Sequence, residues 1–302
     1  MTASFRPADF SHAPAVEWVT LSAMLGCYAV WAVALWFGGW AGWGALTLAL
    51  AFHSSLAHEA LHGHPFRNAR ANAALIWLPV GLLVPYARFR DLHLAHHRDA
   101  NLTDPYDDPE SNYLDPAVWA RLPGGLRAVL RINNTLAGRI LIGPAIGQAV
   151  FMAGEARRIR TGEPGIAGIW ARHLAGVAGV LGVVALSPMP VWAYLLAAYA
   201  ASGLLRIRTF AEHRAHAVSR GRTVIIEDRG PLAFLFLYNN LHVVHHMHPG
   251  VPWYRLPGLY RQGRARYLEM NDGYVFASYG ALFRAHLLTA KDPVPHPLWR
   301  PR

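Results

Sequence analysis

The chain has 302 residues, 53% of them hydrophobic, and 28 basic against 18 acidic side chains give it a formal net charge of +10. That balance would suit a nucleic-acid partner, but Lys291 is the only lysine and the arginines are scattered among apolar runs, which argues against one. Cys27 is the single cysteine, so an intrachain disulfide, a zinc ribbon and a cysteine-ligated iron–sulfur cluster are excluded.

In chain order, residues 1–17 form a short polar lead. From Trp18 to Ala57 there is no Asp, Glu, Lys or Arg. A membrane span takes about 20 apolar residues, so this stretch predicts two helices, 18–37 and 42–62, divided at Gly38-Gly39-Trp40. The lead has neither a basic n-region nor a small-residue cleavage site, and a second apolar run follows the first, so a retained anchor is expected instead of a signal peptide. Residues 73–87, cut by Pro79 and Pro85, and 140–153, containing Pro144, are too short to span and are expected at the interface. Between them runs a polar stretch, Arg88 to Arg139. A second uncharged region, Leu174 to Leu205, is broken at Ser187-Pro188-Met189-Pro190 and predicts a second hairpin over 170–208.

The expected fold is therefore all-α: one membrane domain over 1–302, with a four-helix, two-hairpin bundle (18–62 and 170–208) and a cytoplasmic helical cap from 88–139 and 209–302. Arg6, the segment 59–173 and the tail from Arg206 hold every basic residue, while the hairpin tips hold none. The positive-inside rule makes the basic face cytoplasmic, which suggests the cell inner membrane.

Histidines punctuate the same face. His58 and His62 are four residues apart where the second span ends, so they share a helical face. His93/His96/His97 and His242/His245/His246 each read His-x-x-His-His. On a helix the first member neighbours the other two, while the adjacent pair diverges by about 100° at 3.6 residues per turn and can aim at two ions. Eight imidazoles are too many for one metal and suit two, with iron, zinc and copper all compatible. His213, just past the second hairpin, makes a ninth candidate. His12, His173, His286 and His296 read as ordinary surface or core residues; His53, His64, His216 and His248 are left open as groups that could orient ligands, Asn239 and Asn240 as outer groups that could hold a metal-bound water, and Glu212 and Arg214 as neighbours that could orient His213. The stretch Asp104 to Glu110 reads first as a solvated turn, with carboxylates bonded to ligand histidines as the alternative. Trp77, Tyr86, Trp253 and Tyr254 fit either an apolar tunnel or an interfacial aromatic belt, and Arg206 and Arg208 a helix end among lipid headgroups.

His58-Glu59-x-x-His62 also matches the zinc-peptidase pattern His-Glu-x-x-His, which would leave both later boxes unexplained. A metal transporter would place its ionisable groups near mid-membrane on paired repeats, whereas these gather at one face.

The three boxes in order, with a hairpin before the last, resemble the membrane fatty acid desaturase superfamily, which includes hydroxylases and carotenoid ketolases; the segment Met247 to Pro257 is similar to bacterial desaturases and ketolases. The resemblance implies two irons held by His58, His62, His93, His96, His97, His213, His242, His245 and His246, with O2 as co-substrate. It implies a lipid or hydrocarbon substrate, oxidised by desaturation or, alternatively, by hydroxylation or ketolation. A separate electron donor, a ferredoxin or similar with its reductase, is also implied. The first box, with three intervening residues, is shorter than in many acyl desaturases and matches ketolases and hydroxylases.

Overall fold

A computed structural model describes residues 16–98 and 102–300; Arg6 and His12 lie outside the described residues. The first hairpin is α1 (Trp18–Phe37) and α2 (Gly39–Leu61). Gly38 and Gly39 turn the chain with φ of 67° and 59°, conformations that cost a side chain and suit glycine. After α3 (Ala69–Leu75) an irregular, proline-broken segment runs to α4 (Tyr86–Arg98). Short α5 (Pro116–Arg121), α6 (Gly124–Asn133) and α7 (Leu136–Leu141) precede α8 (Gly143–Arg160). The second hairpin is α9 (Ile166–Ala185) and α10 (Val191–Ala211). Then come β1 (Ile225–Ile226), α11 (Pro231–Leu235), α12 (His242–Met247), α13 (Leu256–Met270), β2 (Val275–Phe276) and α14 (Tyr279–His286). The expected all-helical cap thus contains one small addition, a parallel β1–β2 pair.

The hairpins pack through α2 against α10. Their interior is apolar, with Leu35, Leu46, Leu50, Ala197 and Ala201 buried, and its few polar groups bond one another across helices. Trp31 Nε1 donates to Tyr194 Oη at 2.9 Å, Tyr194 Oη donates to the Val80 carbonyl at 2.6 Å, and Trp43 Nε1 donates to the Ala193 carbonyl at 3.0 Å. Unpaired, each would carry a desolvation cost of about 1–3 kcal/mol. At Gly203, α10 meets α7 so closely that a Cβ would lie 2.7 Å from the Ile140 carbonyl oxygen.

The outward surface is apolar as well: Val33, Trp36, Leu174, Leu186, Trp192 and Leu195 are exposed. By length and composition α1 and α9 are long and apolar enough to cross a membrane. The inner helices α2 and α10 are less apolar because they carry His53, Ser55 and His58, which are buried, and Ser202 and Arg206, which are half-buried. A buried pair fixes α4 beneath the bundle: Arg88 Nε and Nη2 donate to Glu155 Oε2 and Oε1 at 2.8 and 2.9 Å, and Trp170 Nε1 of α9 donates to the same carboxylate at 3.0 Å.

Candidate metal centre

Three helix segments and one loop bring all nine histidines together. His58 occupies the last turn of α2 and His62 caps it, their ring centroids 4.8 Å apart, as i,i+4 spacing requires. His93, His96 and His97 lie on α4, and His242, His245 and His246 on α12. The six-residue α12 is anchored by Val243 and Val244, which sink into a core with Leu256 and Leu259, leaving its imidazoles to face α2 and α4. His213 follows α10 on a loop bridged to Thr223.

The rings sort into two groups. His58, His62, His93, His97 and His245 form one; His96, His213, His242 and His246 form the other, each with ligand nitrogens within 4.8 Å of one another. Both adjacent pairs are divided, His96 from His97 and His245 from His246, as their angular divergence on a helix dictates. The groups meet where the His97 and His246 rings stack, centroids 4.2 Å apart.

Several observations fit a metal in each group. The Nε2 atoms of His58, His62 and His93 are buried without a hydrogen-bond partner. In the other group His213 Nε2 lies 3.1 Å from His96 Nε2 and 3.2 Å from His242 Nε2, while His246 Nε2 lies 3.1 Å from His242 Nε2. Nitrogens at about 2.0–2.1 Å from one ion stand about 3.0–3.4 Å apart, so these spacings match a shared coordination shell.

The opposite ring edges are tied down. His93 Nδ1 donates to Glu110 at 2.7 Å, His96 Nδ1 to Asp108 at 2.7 Å and His242 Nδ1 to the Asn239 side-chain oxygen at 3.0 Å. Carboxylates only accept, so the proton resides on Nδ1 and the Nε2 lone pair faces inward, a tautomer suited to metal binding. Burial, with the neighbouring imidazoles, lowers His97 to about 3 and takes His213, His242, His245 and His246 well below the usual histidine value. At His96 burial acts the same way, but Glu110 and Asp108 outweigh it and raise the group to about 9, so with no ion bound this ring keeps a proton on Nε2 as well, which a metal would have to displace before taking the lone pair. Burial would raise Glu110, yet His93 and His96 hold its carboxyl well below the usual range.

A family model described as fatty acid desaturase matches residues 38–278. The chain belongs to that family. Its members are generally membrane-bound oxidoreductases. A beta-carotene ketolase from Paracoccus sp. (strain N81106 / MBIC 01143) is 27% identical over 223 residues, covering 69% of this chain and 73% of the ketolase.

In this desaturase-family chain an apolar cavity of about 310 Å³ lies between α2, α8, α9 and α10, lined by Leu50, Ala57, Trp77, Phe89, Phe151 and Leu205. Phe89 lies against the His93 ring, centroids 5.8 Å apart, so the cavity adjoins the five-histidine group. Tyr86 also lines it, whereas Trp253 is buried beside Phe234 and Tyr238, outside both tunnel and belt.

Other expectations change with the structure. The Asp104–Glu110 stretch is not a solvated turn: Asp108 is buried and both Asp108 and Glu110 hold ring nitrogens. The missed signal was chemical, since ligand histidines need acceptors and these acids lie 12 and 17 residues beyond their rings. Glu212 pairs with Arg208 at 2.9 Å and reaches 3.7 Å from His242 Nδ1, not the His213 ring beside it in sequence; burial raises its pKa. Arg208 is therefore in an inner ion pair and not among headgroups. Asn239 does orient His242, held by a turn in which Leu237 and Tyr238 take positive φ of 51° and 55°. Such residues cost about 1–3 kcal/mol each and persist where the surroundings over-determine them. Asn240 instead bonds the Ile226 carbonyl, His248 bonds Tyr267 Oη at 3.1 Å, and His216 bonds Asp272. His53 meets Tyr28 Oη at 3.0 Å and His64 meets Glu17 at 2.8 Å. His173 donates to the Leu82 carbonyl.

Proposed function

We propose that this protein is an oxygen-dependent di-iron oxidase that desaturates a long apolar lipid chain, with all nine clustered histidines as ligands. The observation that carries the reading is the pair of imidazole groups adjoining an apolar cavity. Iron bound there supplies oxidising power sufficient for an unactivated C–H bond, with dioxygen as oxidant. The balance is RCH2CH2R′ + O2 + 2e⁻ + 2H⁺ → RCH=CHR′ + 2H2O, so a separate electron donor is required.

The protein's own part is to hold and exclude. Leu50, Trp77, Phe89 and Leu205 give an alkyl chain an apolar lining, so it leaves lipid without crossing water. Glu110, Asp108 and Asn239 fix the ring orientations. The exposed apolar surface supports α1, α2, α9 and α10 as four membrane helices, and the confinement of the basic residues to the histidine-bearing segments supports a cytoplasmic site at the inner membrane.

A zinc peptidase would need Glu59 facing a metal-bound water. Glu59 instead is buried, accepts a bond from the Trp253 backbone N–H at 3.1 Å and has its other oxygen 3.9 Å from His58 Nδ1. Two observations favour a second reading, ketolation or hydroxylation of a carotenoid or similar hydrocarbon: the short first box and the ketolase relative. Lipid and carotenoid profiling of cells with and without the protein separates them. New double bonds in acyl chains, absent in H96A, confirm desaturation; keto or hydroxyl groups overturn it in favour of the second reading; no oxidised product overturns both.

A further inference from the structure

We propose that the C-terminal segment Lys291–His296 is a strap that sets the four-histidine half of the centre independently of the five-histidine half; this rests on the di-metal reading above. The segment follows α14 and pairs with Leu114: Leu114 N–H donates to the Val294 carbonyl and His296 N–H to the Leu114 carbonyl, at 3.0 and 2.8 Å. It thereby lies over the turn that supplies Asp108.

Two links run from it to the four-histidine group. Lys291, the only lysine, is nearly buried and donates from Nζ to the His213 carbonyl at 2.9 Å. His213 is the one ligand on a loop, and its own ring edge has only a long contact to Thr223, 3.5 Å, so the main-chain anchor matters there. In the second link, His296 Nδ1 accepts the Leu298 N–H at 3.1 Å, so the neutral ring carries its proton on Nε2. That Nε2 lies 3.1 Å from Thr103 Oγ1 and donates to it. The Thr103 N–H donates to Asp108 Oδ2 at 2.8 Å, and Asp108 Oδ1 accepts from His96 at 2.7 Å.

Thr103 has φ of 74°, a left-handed conformation that is strained for a β-branched residue. Only its surroundings hold it there, and His296 is one of them. The strap thus governs two of the four rings in one group. Among the described residues, four of the five rings in the other group, His58, His62, His97 and His245, have no bond to the strap or to the turn that supplies Asp108, and His93 alone is reached, through Glu110. Lys291 and His296 are positioning residues.

The test is metal stoichiometry, not turnover. Full-length apo-protein in detergent is titrated with Co2+ against a competing chelator, with circular dichroism confirming the fold. Wild type takes up two ions. H296A and K291M each weaken one ion about 10-fold or more, in line with other partners that orient metal ligands, and leave the other unchanged. H296Q, which keeps a donor where Nε2 stands, restores the wild-type curve. Combining H296A with H213A loses no more than H213A alone, whereas combining it with H62A weakens both ions. Two ions in wild type with an unchanged H296A curve, or equal weakening of both ions, overturns the strap and leaves the di-metal reading standing. Failure of wild type to bind two ions overturns the di-metal reading itself. If H296A unfolds, K291M and the H296Q rescue decide.

Discussion

The two halves of the histidine cluster are built to different rules. In the five-histidine half every ligand sits on a helix or its cap, α2, α4 and α12, and three ring nitrogens have no protein partner. In the four-histidine half one ligand is on a loop, and the inward nitrogens lie 3.1–3.2 Å from one another. The first takes one outside acceptor, Glu110 on His93; the second takes three outside contacts, from Asp108, from the nearby Asn239 and from the distant Lys291. Redundancy differs too, five donors against four.

Ligand deletion should break the symmetry most. H242A leaves three imidazoles in its half, and bound iron should fall from two per chain to one with oxidation abolished; H62A leaves four, and iron should stay near two with activity reduced. Elemental analysis of both variants checks this, and equal iron loss would erase the distinction between the halves.

Removing an acceptor should do less and should point to one half at a time. D108N should weaken the ion in the four-histidine half, and E110Q the ion in the five-histidine half, each by about 10–100-fold. Metal titration of both variants reads the difference.

The smallest difference between halves should come from Glu155, because α4 serves both. E155Q leaves the buried Arg88 with only the longer contact to Asp91 at 3.9 Å and should destabilise the fold by about 3 kcal/mol, while any metal loss is equal in the two halves. Burial of Glu155 would raise its carboxyl, but Arg88 and Trp170 outweigh that and hold it below its usual value. A lowered folded value means the pair's stabilisation is present at neutral pH and is lost as pH falls through that value. Thermal midpoints of wild type and E155Q should therefore converge in acid.

Much of this was legible along the chain. Uncharged runs marked the hairpins because lipid and core both exclude charge, and the positions of His58, His93 and His242 within their boxes predicted shared faces because helical periodicity is local. The division of His96 from His97 followed from the same angle. What only the tertiary structure decided were the pairings between segments far apart in sequence. Asp108 against His96, Glu212 against His242 instead of His213, and His296 against Thr103 depend on how loops close over the bundle. Periodicity reports which way a side chain faces on its own element; it carries no information about what another element brings to meet it. That is why the metal ligands could be read from spacing and Asn239, three residues from its ring, could be offered from sequence, while the pairing of Asp108 with His96 was decided only in the folded molecule.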